Sequence, residues 1–196
     1  ITLHRELAGT ITTTFSGSGN IDLNRYCRRN TTFDTNLVKN GTGTLTIYDP
    51  SYTGAGDATN TGWLTGSMTI NQGKVRIDAE DNLGGNPAAF NAGHLTLDGG
   101  TLGAFGSFTM DDANRGVTLG ASGGTFDVES NYTLTIANAI AGAGGLAKTG
   151  SGTLALTTAN SYAGATAATA GTLRLTNAGA LGSSPGVSLD NTTVAG

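Results

Sequence analysis

The sequence predicts an all-β fold, a right-handed parallel β-helix (β-solenoid) of about eight or nine coils. Three observations predict it: short runs in which every second residue is apolar, glycine-rich gaps between them, and a phrase that occurs twice. The chain has 196 residues, of which 32 are glycine, 37% are hydrophobic and only 12% are charged. A flexible low-complexity chain would lack such regular apolar positions, so we expect a packed core.

The apolar alternation identifies the strands. In GTLALTT, Leu154 and Leu156 alternate with small or hydroxyl-bearing residues, and Leu45 and Ile47 do the same in GTLTIYD. The same period of two runs through HLTLDG, KVRID, YTLTIAN and GVTLG. This period is typical of β-strands, and Thr, Val and Ile suit a pleated surface. The Ala-rich residues 159–170 contain one glycine and two threonines, which argue against a helix.

The repeated phrase is LVKNGTGTLTI at residues 37–47 and LAKTGSGTLAL at residues 146–156. Lys39 corresponds to Lys148 and Gly73 to Gly171, so the offset falls from 109 to 98 because the first copy carries insertions. Insertions between fixed segments are typical of loops on a repeat scaffold. We expect the second copy to restart the same core ladder as the first, which favours a solenoid over a sandwich or a propeller.

We therefore expect one β-solenoid domain over residues 1–196. It would consist of an N-terminal segment, 1–36, and two repeat blocks, about 37–145 and 146–196. The net charge of −4 argues against a nucleic-acid groove, and the single cysteine, Cys27, excludes an intrachain disulfide. No apolar run approaches the length of a transmembrane segment, and no signal peptide is visible at Ile1, so we expect any signal or anchor to lie outside this chain.

Residues 144–175, GGLAKTGSGTLALTTANSYAGATAATAGTLRL, resemble the autotransporter-associated β-strand repeat, also called the passenger-associated transport repeat. The pattern of that family runs roughly G-G-L-x-K-x-G-x-G-T-L-x-L-x-x-x-N-x-Y-x-G-x-T-x-x-x-x-G-T-L. The repeat positions that we single out are Lys148, Gly150, Gly152, Leu154, Leu156, Asn160, Tyr162, Gly164, Gly171 and Leu173, with Lys39, Gly41, Gly43, Leu45, Ile47 and Gly73 in the looser first copy. The resemblance implies an exported bacterial β-helix, extracellular or on the cell surface, whose repeats help passenger folding and secretion.

Candidate catalytic residues are the acidic side chains near strand ends, because β-helices host polysaccharide lyases and hydrolases. They are Asp78, Glu80, Asp81, Asp111, Asp112, Asp127 and Glu129, with Arg76 and Arg115 near them in the sequence. Since Asp and Asn at turns commonly satisfy backbone donors, we predict that the chain is not an enzyme and has no catalytic, metal-binding or cofactor-binding residue. We expect His94 at the surface or in a turn, without the second His or Cys that zinc would require.

The aromatic residues are the candidates for contacts with a partner. Tyr26, Tyr48, Tyr52, Trp63, Tyr132 and Tyr162 could line a carbohydrate platform. We expect the repeat positions Tyr52 and Tyr162 instead to cover the edge of the core with their hydroxyl groups outward. Trp63 lies in an insertion, residues 57–66, that the second copy lacks, and it is the predicted contact residue.

Three functions remain open. The first is a non-catalytic extracellular structural or surface protein, a rod whose open β-helix ends associate head-to-tail into filaments. The second is an adhesin passenger domain that binds a surface glycan or a host or matrix protein through the insertions 57–66 and 24–36. The third is a polysaccharide lyase or hydrolase of the β-helix type, which requires three or more carboxylates that converge in a groove.

Overall fold

The computed structural model describes residues 11–24, 35–48, 66–190 and 192–195, which form a parallel β-solenoid with three sheets. The predicted fold class is therefore confirmed. Every strand pair among the described residues is parallel, as expected for coils that stack on one another. No helix within these ranges is long and apolar enough to cross a membrane.

The strands are numbered in chain order and divide among the three sheets. The first sheet contains β1 (Ile11–Phe15), β3 (Thr35–Lys39), β5 (Met68–Ile70), β7 (Asn91–Leu97), β10 (Arg115–Leu119) and β13 (Ile140–Gly142). The second contains β2 (Ile21–Asn24), β4 (Thr44–Tyr48), β6 (Lys74–Ile77), β8 (Thr101–Ala104), β11 (Gly124–Val128), β14 (Leu146–Thr149), β16 (Thr166–Ala168) and β18 (Val187–Leu189). The third contains β9 (Phe108–Met110), β12 (Thr133–Ile136), β15 (Thr153–Leu156), β17 (Gly171–Leu175) and β19 (Thr192–Ala195).

The three sheets contain six, eight and five strands, which corresponds to about six turns. The prediction of eight or nine coils is slightly too high, because among the described residues only the second sheet carries a strand at every level. Between β6 and β7 the chain forms a 3₁₀ helix, Glu80–Leu83, where later turns have a strand of the third sheet. The Ala-rich residues 159–170 contain β16 and no helix, as predicted.

Inward side chains form apolar ladders along the axis of the solenoid. In the first sheet the register stacks one such column whose members are at most 1% exposed, Leu37, Met68, Leu95, Val117 and Ile140. Burial of each large apolar side chain contributes about 1.5–3 kcal/mol. Because each member packs against its equivalents in neighbouring turns, these columns hold the turns together and fix the register of the sheets.

The two copies of the repeated phrase lie at different corners of the solenoid. The first copy runs from β3 in the first sheet to β4 in the second, whereas the second copy runs from β14 in the second sheet to β15 in the third. Leu45 pairs with Val75 in the second sheet, but Leu154 pairs with Leu134 in the third. The prediction that both copies serve the same core ladder is therefore wrong. The phrase specifies a corner, and this corner occurs between either pair of successive sheets.

Candidate functional site

At the corner of the second copy, a buried lysine binds the carbonyl groups of the turn. Lys148 is an inward residue of β14 and is 0% exposed. Its Nζ donates to the carbonyl oxygens of Thr149 (2.6 Å), Gly150 (2.7 Å) and Ala170 (3.1 Å). Ala170 belongs to the next turn, so one ammonium group connects two turns. Burial lowers the pKa of Lys148 to about 8, against the opposing charge of Asp127, and the group stays protonated at neutral pH.

Lys39 repeats this arrangement at the corner of the first copy. It is 3% exposed, and its Nζ donates to the carbonyl oxygens of Gly41 and, at 3.5 Å, Gln72. Gln72 directly precedes Gly73, and the equivalent acceptor in the second copy, Ala170, directly precedes Gly171. Burial lowers the pKa of Lys39 as well. The same lysine-to-carbonyl geometry therefore occurs at two different corners.

Glycine is required where the next turn closes over each of these corners. Gly73 and Gly171 have φ angles of +67° and +70°, which side-chain-bearing residues rarely adopt. A Cβ at Gly73 would lie less than 3.0 Å from the carbonyl oxygens of Gly41 and Gly43, and one at Gly171 would meet the second copy's turn in the same way. The corner unit therefore consists of the inward lysine, the Gly-x-Gly turn and the closing glycine above it.

Two further repeat positions lie where the first sheet has no described strand after β13. Asn160 accepts the N–H of Ile140 at Oδ1 (2.8 Å) and donates from Nδ2 to the carbonyl oxygen of Ala180 (2.5 Å), so it connects the turns on both sides. Tyr162 is 0% exposed, and its hydroxyl lies 2.7 Å from Oγ1 of Thr166. The predicted outward hydroxyl is wrong, because the ring fills the core at this corner and Thr166 satisfies its polar end.

Four of the seven acidic candidates lie in two clusters of charge, and the first cluster spans the outer face of the second sheet. Nζ of Lys74 lies 2.6 Å from Oδ2 of Asp127, and Arg76 makes two bonds to Glu129, of 2.6 and 3.0 Å. The guanidinium carbon of Arg76 lies 3.8 Å from the ring centre of Phe105. Such partly exposed ion pairs contribute about 0–1 kcal/mol each. They connect β6 to β11 and to the residue directly after it, across β8, and the four charged groups are paired with one another.

The second cluster is a buried network around Arg115, which is 1% exposed. Its Nε lies 3.0 Å from Oε1 of Glu80, and its Nη2 lies 2.5 Å from Oδ2 of Asp112. The guanidinium also donates to the carbonyl oxygens of Leu83 (3.2 Å) and Gly84 (2.7 Å). Burial raises the pKa of Glu80, although backbone donors and the charge of Arg115 act in the opposite direction. The network therefore fixes the 3₁₀ helix and the residue after it to the start of β10.

His94 completes this network. The prediction that it lies at the surface or in a turn is wrong, because it is 1% exposed and lies within β7. Arg115 pairs with Asn91 and Val117 with Leu95, so three residues of β7 face a single residue of β10 in a bulge. Nδ1 of His94 lies 2.8 Å from Nη1 of Arg115 and must accept its hydrogen, which leaves the proton on Nε2. Nε2 has no hydrogen-bond partner among the described atoms. Burial, followed by the charge of Arg115, lowers the pKa of His94 to about 4.

The network around Arg115 holds this part of the chain in place. Arg115 and His94 are both buried, and every nitrogen of the guanidinium has an acceptor. Within the described ranges, no group of three or more His, Cys, Asp or Glu side chains is placed to hold a metal ion. A buried cation whose acceptors all come from its own chain is a structural element. Its partner Glu80 lies 35 residues away, so the sequence did not show that the two residues pair.

The predicted contact residue Trp63 lies outside the described residues, as do Tyr26, Cys27 and Tyr52. Sequence reasoning missed Phe90, which is 67% exposed. The signal available for it was an aromatic residue outside any alternating run, between the turn-forming pairs Asn-Pro and Asn-Ala. Tyr132 is 37% exposed, and Val187 and Leu189 in β18, the last strand of the second sheet, are 45% and 50% exposed.

Comparison with known proteins finds the same two segments. The model of the passenger-associated transport repeat family matches residues 37–77 and 146–175. The chain is 34% identical over 161 residues to the adhesin BmaC autotransporter of Brucella suis biovar 1 (strain 1330). The alignment covers 76% of this chain but only 4% of that adhesin, so the chain spans a small part of its relative. No solved structure shows a significant match to the chain.

Proposed function

Because the chain is a passenger-associated transport repeat protein of the autotransporter type, we propose that it serves as a non-catalytic β-solenoid rod on the bacterial surface. The observation that carries the proposal is the corner unit. The ammonium groups of Lys39 and Lys148 each donate to carbonyl oxygens of their own turn and of the next one. Each turn thus completes the polar contacts of the turn before it, which suits a rod that folds coil by coil during export.

The absence of catalysis is part of this proposal. The acidic candidates Asp127 and Glu129 are paired with neighbouring cations, and Glu80 and Asp112 hold a buried arginine. We expect no turnover of pectin-like or alginate-like polymers, followed as new reducing ends or as absorbance of unsaturated products. Turnover that disappears in an Asp112→Asn variant would instead establish the lyase or hydrolase alternative.

The rod is further proposed to associate head-to-tail through its open sheet edges. Val187 and Leu189 stand in register with the inward residues Thr166 and Ala168, yet they are about half exposed. At the opposite edge of the same sheet, Ile21 and Leu23 pack only partly against the core. Both edges present apolar residues, and no further strand among the described residues pairs with β18 or β2 on its outer side; such an edge favours the addition of another coil.

Electron microscopy and sedimentation test the head-to-tail association. We expect filaments whose axial repeat is one rod length, on the order of 40 Å for eight strands stacked at about 4.8 Å. A Val187→Lys variant should shift the material to single rods, because a charge would be buried at each junction. If the unchanged protein forms only single rods at every concentration, head-to-tail association is refuted, whereas the proposal of a non-catalytic rod is unaffected.

A second candidate function is adhesion to a host or matrix ligand. It is favoured by the similarity to a protein named as an adhesin and by the exposed ring of Phe90. The insertion 57–66 with Trp63 remains a proposed contact segment. Beads coated with the chain should bind host cells, and deletion of residues 57–66 should reduce binding without changing the far-ultraviolet circular dichroism. Coated beads that bind no better than albumin-coated beads would contradict the adhesin.

A further inference from the structure

One residue, Asn114, closes the loop that carries Phe90. The backbone N–H of Asn114 donates to Oδ1 of Asn86 (3.1 Å), and its Nδ2 donates to the carbonyl oxygen of Pro87 (2.7 Å). Its own carbonyl oxygen accepts the N–H of Asn91 (3.0 Å). Both ends of residues 86–91 are thus bound to a single residue, and we call this segment the Asn114-closed loop.

The chain on either side of the Asn114-closed loop is fixed as well. Before it, Arg115 binds the carbonyl oxygens of Leu83 and Gly84. After it, the bulge of β7 is held by Oγ1 of Thr118, which donates to the carbonyl oxygen of Ala92 (2.7 Å). A Cβ at Gly116 would lie less than 3.0 Å from the backbone of Ala92, so the strands approach closely here. An aromatic ring on a backbone held in this way loses little conformational entropy when it binds.

The loop carries one exposed aromatic residue and two exposed asparagines. Phe90 is 67% exposed, and Asn86, four residues before it, and Asn91, directly after it, are exposed as well. Each asparagine uses Oδ1 as an acceptor, from the N–H of Asn114 for Asn86 and from the N–H of Gly93 for Asn91. These bonds orient both amides, and neither Nδ2 donates to another described atom. No charged residue occurs between Gly84 and Ala92.

We propose that the Asn114-closed loop is a contact site for an uncharged glycan. The C–H face of a sugar ring would stack on Phe90, and the oriented NH₂ groups of Asn86 and Asn91 would donate to its hydroxyl groups. The lack of charge along the loop fits a neutral sugar and offers nothing to a sialylated or sulfated one. The inference rests on the adhesin function proposed above and assigns it a residue and a ligand class.

The test uses a printed array of neutral, sialylated and sulfated oligosaccharides, probed with the biotinylated chain on streptavidin to add avidity. We expect binding to neutral members. Phe90→Ala should lower that binding at least tenfold, and Phe90→Trp should preserve it. Asn91→Asp keeps the acceptor for the N–H of Gly93 but removes the donor, so it should also weaken binding. Tyr132→Ala, at an exposed aromatic residue elsewhere, is the matched control and should bind as the unchanged chain does.

Two results would overturn the inference. The first is an array without bound neutral glycans, or one on which Phe90→Ala binds as well as the unchanged chain. The second is bead adhesion that depends on Phe90 but persists after the host cells are deglycosylated, which would identify a protein partner. The array and the bead assay are separate readouts. If the binding of beads to host cells is unchanged in Phe90→Ala, the adhesin function stands but the Asn114-closed loop is not its contact site.

Discussion

Replacement of Lys148 by methionine tests the corner unit directly. Methionine keeps an unbranched side chain of similar length but removes the ammonium group, which is 0% exposed. The carbonyl oxygens of Thr149, Gly150 and Ala170 would then lose the donor that lies 2.6, 2.7 and 3.1 Å away.

The expected loss follows from two opposing contributions. A hydrogen bond to a charged group contributes about 1.5–3 kcal/mol, so three of them contribute roughly 5–9 kcal/mol. Burial of the charge opposes this, since the lowering of the pKa of Lys148 from 10.5 to about 8 corresponds to about 3 kcal/mol. We therefore expect Lys148→Met to reduce the free energy of unfolding by about 2–6 kcal/mol, and the midpoint of thermal unfolding by roughly 5–20 °C.

The assay is urea-induced unfolding at pH 7, followed by far-ultraviolet circular dichroism and fitted with the slope left free. Lys74→Met is the matched control, because Lys74 is 34% exposed and pairs with Asp127 at 2.6 Å. That variant should lose about 1 kcal/mol or less. Lys39→Met should resemble Lys148→Met, since both lysines occupy the same geometry. If Lys148→Met and Lys74→Met lose equal stability, the inward lysine does not hold the corner and the reasoning fails.

Two further predictions concern the histidine network and the glycine turns. Folding lowers the pKa of His94 from 6.5 to about 4, so the stability that neutral His94 contributes is complete above pH 6.5, and about 3 kcal/mol of it is lost as the pH falls from 6.5 to 4. The free energy of unfolding of His94→Asn, which retains an acceptor for Arg115, should depend less on pH across that window. An unchanged pH dependence would contradict the burial argument. Gly152→Ala should lose more than about 2 kcal/mol in urea unfolding, because its Cβ would lie less than 3.0 Å from the carbonyl oxygen of Glu129. Gly85→Ala meets no atom within 4 Å and should be neutral to within about 0.5 kcal/mol, so equal losses would disprove the close packing of turns.

The strands were predictable because their signal is local. Leu154 and Leu156 alternate with small residues, and the structure buries both in β15 at no more than 1% exposure. The inward direction of Lys148 was not predictable in the same way, because lysine is almost never fully buried without a partner. Its partners are backbone carbonyl groups, one of them in the next turn, and such acceptors leave no mark in the sequence.

The site around Arg115 depends on contacts that the sequence separates. Glu80 and Arg115 are 35 residues apart, and His94 reaches Arg115 only because β7 bulges. A bulge has no reliable sequence signal, so His94 was expected at the surface. Phe90 was overlooked for a related reason. An exposed aromatic residue becomes noticeable only when the loop that carries it is seen to be closed by Asn114.

The position of the two copies explains the spacing of the repeat. Each copy builds one corner between successive sheets, so the repeating unit is a corner and not a whole turn. Two corners with the same sequence need not be separated by a whole number of turns. Here the copies are 109 residues apart, and the first joins the first and second sheets whereas the second joins the second and third sheets. Because each corner satisfies its own carbonyl groups through its own lysine, the chain between corners is free to vary in length. The Asn114-closed loop is one such variation, placed between the 3₁₀ helix and the first residue of β7.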